Sequence, residues 1–197
     1  MKKFRQIKRE LRILGIDDSP HKEHGKGTVL LVGTVFRGGE WLDGVLSRKI
    51  RVDGMDSTRK IIQMINETRH NAQLRVAMLD GITFGGMNTA DISKIYKETG
   101  LPVIVVNRKA PDLKKMEKAL DKCTNKNARK RCIEHAGAIQ KVTAGKHNLY
   151  IQVSGINVED ATEILKISCT RGNLPEPLRT SHLIARGVTL GESRGRA

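Results

Sequence analysis

Asp17 and Asp80 each close a short apolar run and are each followed at once by turn-forming residues, in RILGIDDSP and RVAMLDGITFGG. A carboxylate at the carboxyl end of a strand is held rigidly and points out of the sheet edge. Two such ends side by side make a hard-oxygen site suited to Mg2+ or Mn2+. Paired ions about 3.5–4 Å apart, bridged by such a carboxylate, activate a water and stabilise the leaving oxygen of a phosphodiester. The plainer alternative is that each aspartate only forms a turn. Asp18 is either a further ligand or the cap of the turn before Ser19-Pro20. Asp53 ends a predicted strand and Asp56 precedes a predicted helix. Either could add a third ligand, although capping the helix is the ordinary work of a residue placed like Asp56.

Other residues carry weaker signals. His21 and His24, in HKEH, have an i, i+3 spacing that can bind zinc, but no thiol cluster accompanies them, and a solvated loop is the simpler reading. Gly81, Gly85 and Gly86 allow close approach of a backbone, whether of nucleic acid or of a neighbouring turn. The GxxxxGK[ST], GxGxxG and GxSxG patterns are absent, so nothing supports a phosphate-binding loop, a dinucleotide site or a serine hydrolase.

The charge balance narrows the partner. Among 197 residues, 36 Lys and Arg face 21 Asp and Glu, a formal net charge of +15. Such an excess favours a polyanion, because each neutralised phosphate releases counterions. The basic residues cluster at the amino terminus (Lys2, Lys3, Arg5, Lys8, Arg9, Arg12) and between Arg108 and Arg131. A solvated basic surface is the bland alternative. Aromatic residues are only 3%, too few for broad base-stacking platforms. Cys123, Cys132 and Cys169 lack zinc spacing and suit a reduced, cytoplasmic setting. No apolar stretch approaches the ~20 residues of a membrane span. MKKFRQIKRE lacks the apolar segment of a secretory signal.

The elements that must position these groups can be read from periodicity. Residues 11–17, 28–36 and 44–52 are predicted strands, the last two joined through RGGEWLDG. Asp56 precedes a helix with Ile61, Ile62 and Ile65 on one face. RVAML makes a fourth strand, DISKIYKET a helix stopped by Gly100, and PVIVV a buried fifth strand. Pro111 is read as the first residue of a helix carrying Leu113, Met116 and Leu120. Residues 124–131 read as a polar loop or mobile excursion, 149–153 as a strand or extended segment, and VEDATEILKISCT and PEPLRTSHLIARG as helices. TLGESRGRA is expected to be loose. Hairpins first and crossovers later imply one α/β domain over residues 1–197, a mixed sheet flanked by helices, with the first and fourth strands parallel neighbours.

Read in order, GIDDSP, VDGMDST, MLDGITFGGMNTADI, LPVIVVNRKAPD and NLPEPLRTSHLIARG resemble an archaeal family similar to endonuclease V, the endonuclease dU type. The resemblance spans roughly residues 11–195. It implies a ribonuclease-H-like fold and a magnesium-dependent endonuclease that cuts near a deaminated base such as hypoxanthine or uracil, in DNA repair. It maps the first-strand aspartate to Asp17, the aspartate of the aspartate-glycine motif to Asp80, and a Pro-x-x-x-Arg element to Pro175 and Arg179. Lys109 and Arg179 then stand as phosphate-neutralising residues, with DNA ahead of RNA as partner. The chain departs from endonuclease V in lacking its Pro-Tyr-Ile-Pro-Gly wedge and the glutamate that follows. Thr83 and Phe84 also stand where a histidine usually follows the aspartate-glycine motif. These departures motivate a rival reading, a nucleic-acid-binding module without chemistry. A third reading is a magnesium enzyme acting on a small phosphorylated metabolite.

Overall fold

A computed structural model describes residues 4–21, 27–145 and 147–193. Lys2, Lys3, His24 and the last four residues of the expected loose tail lie outside the described residues. The elements, in chain order, begin with β1 (Arg12–Asp18), β2 (Thr28–Arg37) and β3 (Trp41–Arg51), then α1 (Ser57–Glu67). Next come β4 (Val76–Asp80), the two-residue β5 (Thr83–Phe84) and β6 (Asn88–Thr89), α2 (Ile92–Thr99) and β7 (Val103–Asn107). The chain continues with α3 (Leu113–Asp121), α4 (Lys126–His135), β8 (Gln140–Ala144), β9 (His147–Ser154), α5 (Val158–Ser168) and α6 (Glu176–Leu190).

Seven strands form one mixed sheet in the order β3-β2-β1-β4-β7-β9-β8. The first three form an antiparallel meander, and β1, β4 and β7 are parallel neighbours, as the crossovers required. β9 returns antiparallel to β7, with β8 as the outer strand. Sequence reasoning missed β8, whose only buried residues are Val142 and Ala144, too short an alternation to stand out.

Side chains alternate along β1, so its neighbours build two cores. Leu14 and Ile16 pack with Ile61 and Ile65 of α1 and with Ile92 and Ile95 of α2. Ile13, Met78 and Ile104 pack on the opposite face with Ala161, Ile164 and Leu165 of α5 and Leu178 of α6. Asp91 caps α2 by accepting from the Lys94 N–H at 2.9 Å, and Gly100, at φ +66°, ends it, as read from the sequence.

Four local expectations change. Residues 126–131 of the polar stretch 124–131 are helical, as most of α4. Its one buried residue is Arg129, so no apolar stripe marks it. Pro111 precedes the helix rather than opening it, because Asp112 caps α3 at the Lys115 N–H. Asp56 stands at the head of α1 but makes no capping bond. Its Oδ1 accepts instead from Asn88 Nδ2 at 2.8 Å and from the Arg51 N–H at 3.2 Å. The expected loose tail is helical as far as Leu190.

α6 lies unusually close to the sheet. A Cβ on Gly15 would sit 2.4 Å from the carbonyl carbon of Pro177, so only glycine fits. Thr34, paired in register with Gly15, donates its hydroxyl to the Pro177 carbonyl at 2.6 Å. Gly15→Ala must therefore lift the helix from the strand. We expect a loss of about 1–3 kcal/mol, the usual cost of overpacking, read as a lower urea midpoint at unchanged slope. An unaltered midpoint would show that the contact is slack.

Candidate metal centre and basic groove

The parallel pairing of β1 and β4 aligns Ile16 with Leu79. One residue further on, both strands end in an acid, and Asp17 and Asp80 come together at the same sheet edge. Side-chain alternation puts Asp17 on the face of Ile13 and Gly15, the face covered by α6. There His182, one turn beyond Leu178, reaches the carboxylate: its Nδ1 lies 2.7 Å from Asp17 Oδ2. Ligand-capable atoms of Asp17, Asp80 and His182 all lie within 4.8 Å of one another. Asp17 Oδ1 accepts from the Asp18 N–H at 2.8 Å, which fixes the carboxylate's orientation.

Asp18 points to the other face. Its Oδ2 accepts from the Gly85 N–H at 2.9 Å, with His21 Nδ1 3.9 Å away. Asp53 and Asp56 are not brought to this cluster. Asp53 Oδ1 accepts from the Met87 N–H at 2.9 Å, and Asp56 is held by Asn88 and Arg51. Gly85 and Gly86 pack against the protein itself: a Cβ would meet Val29 at the first and the Asp53 carboxylate at the second. A Cβ on Gly81 would meet Asn107 Oδ1 at 3.7 Å, an ordinary contact distance.

Crowding perturbs the acids. Burial, then repulsion from Asp17, pushes the Asp80 carboxyl up to about 7, against the pull of Arg108 and His182. Burial likewise raises Asp18 to about 7, opposed by the Gly85 N–H and reinforced by Asp17 and Asp80. Two carboxylates and an imidazole, short of neutralising charge, match the donor set of a divalent cation that takes oxygen and nitrogen ligands. Sequence reasoning missed His182. Its signal lay inside NLPEPLRTSHLIARG, three residues after Arg179, but one histidine on a helix carries no spacing that points to a ligand.

Asp80 opens onto a broad groove of about 1220 Å³, walled by Asn107, Arg108, Lys109, Arg171, Asn173 and Arg179. Arg179 is not a free cation there. Glu176, almost fully buried, holds it through three bonds of 2.8–3.0 Å. Among the described residues no ion pair engages Arg108, Lys109 or Arg171.

Because the folded-state carboxyls of Asp18 and Asp80 lie above the ordinary 3.8, the native cation-free protein binds more protons than the unfolded chain between about pH 4 and 7. Their contribution to stability is complete below that range and is lost as the pH rises through about 7. Asp80→Asn should therefore raise the cation-free melting temperature at pH 8 and narrow that gain at pH 5. Each kcal/mol relieved is worth roughly 2–4 °C. Mn2+ should stabilise the native chain but not the variant at pH 8. A variant no more stable at pH 8 would remove the crowding argument.

The sequence model of endonuclease dU matches residues 9–189. A curated relative, the UPF0215 protein of Methanothermobacter thermautotrophicus, is 58% identical over 195 residues, covering 98% of this chain and 95% of its own. The solved structure of a protein of unknown function from Archaeoglobus fulgidus is 38% identical, with a TM-score of 0.82 over 90% of this chain and 97% of that one. Endonuclease V of Ciona intestinalis, solved with a 24mer DNA containing an inosine followed by a ribo-adenosine, is 15% identical, with a TM-score of 0.56 over 86% of this chain and 82% of that one. That last likeness, with the strand order, identifies the ribonuclease-H-like fold. The chain belongs to the endonuclease dU family, an archaeal group with the fold of endonuclease V.

Proposed function

We propose that this chain is a divalent-metal-dependent endonuclease that hydrolyses a phosphodiester near a deaminated base, uracil or hypoxanthine, in DNA ahead of RNA, as a repair activity. One observation carries the reading: strand-end acids distant in sequence meet His182 within 4.8 Å, at the mouth of a cationic groove. Membership of the endonuclease dU family and the inosine-containing DNA bound by the Ciona endonuclease support it further.

In this reading Asp17, Asp80 and His182 would hold Mg2+ or Mn2+. Such an ion would supply charge neutralisation at the scissile phosphate and a water made acidic enough to attack. The protein's own groups do the rest. The Asp18 N–H orients Asp17, and the α6 backbone fixes His182 over the same acid. Arg108, Lys109 and Arg171 offer donors to the phosphates along the groove. Arg179, committed to Glu176, holds the start of α6 in place more than it contacts substrate. A lesion base turned out of its stack would lie against Gly81, where a small cavity of about 70 Å³ is bordered by Ile82, Asn107, Pro111 and Leu113. Leu113 is exposed and would have to yield to admit a base.

A specific observation favours a second reading. Among the described residues no third carboxylate joins Asp17 and Asp80, because Asp53 and Asp56 are bound elsewhere in the loop. A site short of one acid suits a nucleic-acid-binding module that has lost its chemistry.

Uracil- and inosine-containing oligonucleotides, with undamaged controls, separate the two when incubated with Mg2+ or Mn2+. Under the first reading the lesion strand is cut, and Asp80→Asn lowers the rate at least ~100-fold while keeping affinity within a few fold. His182→Ala should also slow cleavage. Salt-dependent binding with no product in either metal would establish the module instead.

A further inference from the structure

A second cavity lies outside the metal cluster and its groove. It measures about 490 Å³ and is enclosed by α3, the turn into α4, and the loops that carry Asp53 and Met87. Its mouth is cationic, with Lys115, Lys118 and Lys122 one turn apart along α3 and its end. Lys115 is paired with Asp112, but no ion pair engages Lys118 or Lys122 among the described residues. They use a different face of α3 from Leu113 and Met116, which border the cavity beside Gly81.

The inner wall holds the less ordinary group. Arg129 is 1% exposed, and no carboxylate pairs with it among the described residues. Its guanidinium donates only to carbonyls: Nε to Thr124 at 3.0 Å, Nη1 to Gly54 at 2.9 Å and to Met87, and Nη2 to Asp53 at 2.6 Å. An arginine has five N–H donors, so one on Nη2 has no acceptor among the described residues. The hydrogen-bond acceptors around this buried positive charge are neutral carbonyls. Burying an unneutralised charge is costly, and such charges are normally paired. The single acid lining the cavity, Asp53, already gives Oδ1 to the Met87 N–H.

We propose that this cavity binds a phosphate group carried by a nucleotide unit. The buried Arg129 charge in the lining and two lysines without an ion pair at the mouth fit the charge of a phosphate. Met87, Ala119 and the lysine stems give an apolar wall for the attached sugar or base. The volume accommodates one nucleotide, consistent with the size range of small-ligand sites. The same chemistry could come from a free mononucleotide or from the terminal phosphate of an oligonucleotide.

The test is calorimetric titration of the full chain without divalent metal, at one fixed salt concentration. The probes are inorganic phosphate, dAMP, and short oligonucleotides with a 5′-phosphate or a 5′-hydroxyl end. Lys118→Ala/Lys122→Ala removes the mouth charges from exposed positions. Lys97→Ala/Lys114→Ala, an equal charge loss outside the cavity, is the control. We expect dAMP or the 5′-phosphorylated strand to bind about tenfold more weakly to the first double variant than to the native chain, and within twofold of native to the control. A preference for the phosphorylated end assigns the source to a chain terminus, and dAMP binding without that preference assigns it to a free nucleotide. Absence of binding by every probe at millimolar concentration overturns the site, as does equal weakening by both double variants. The readout is binding alone, so it stands or falls separately from cleavage.

Discussion

The closeness of α6 to β1 is the constraint on which the site depends. Gly15 leaves no side chain between strand and helix, and the Thr34 hydroxyl ties the Pro177 carbonyl to the neighbouring strand. With the start of the helix pinned there, His182 can fall only a short distance further along, over the strand end. Two residues beyond Gly15 on the same face is Asp17. The 2.7 Å contact between Asp17 and His182 is thus set by a steric condition outside the pair, two residues before the acid and five before the imidazole. Glu176 and Arg179 reinforce the same end of the helix through a bidentate pair, half-buried and hence less screened than a surface bridge.

The second governing feature is electrostatic. Parallel pairing brings two carboxylates to one edge, where burial and mutual repulsion hold protons on Asp80 and Asp18 near neutrality. Proteins do not normally retain such crowding without compensation. Here the compensation is incomplete: Arg108 and His182 lower the Asp80 carboxyl without cancelling the rise. The arginines and lysines of the groove add positive potential at a longer range. Acids at the centre with cations around them are the arrangement on which the proposed metal-assisted reading rests.

Arg129 plays a comparable organising role on the opposite side of the Asp53 and Met87 loops. Its guanidinium gathers carbonyls from the β3–α1 loop, the β5–β6 turn and the turn between α3 and α4. The β5–β6 turn also presents the Gly85 N–H to Asp18. A single buried cation thus links α4 to the periphery of the acidic cluster, which gives a physical reason for a helix in a stretch whose composition suggests only solvation.

The amino-acid sequence alone determined the strands β1, β2, β4 and β7, the amphipathic helices α1, α2 and α5, and the acids at the two strand ends. Each rests on local periodicity or on a turn signal, which neighbouring residues suffice to write. It could not reveal α4, whose anchor is polar, or the edge strand β8, whose apolar alternation is too short. Nor could it show which acids beyond Asp17 and Asp80 turn toward the cluster. Asp53 and Asp56 have the right chemistry at a plausible place, but Met87, Asn88 and Arg51, brought in by other segments, claim their oxygens. His182 entered the site only through the packing of α6, because its partnership with Asp17 joins positions 165 residues apart. Local sequence specifies what each group can do. Which groups meet is decided by the close contacts of distant elements, and in this molecule chiefly by a missing side chain at Gly15.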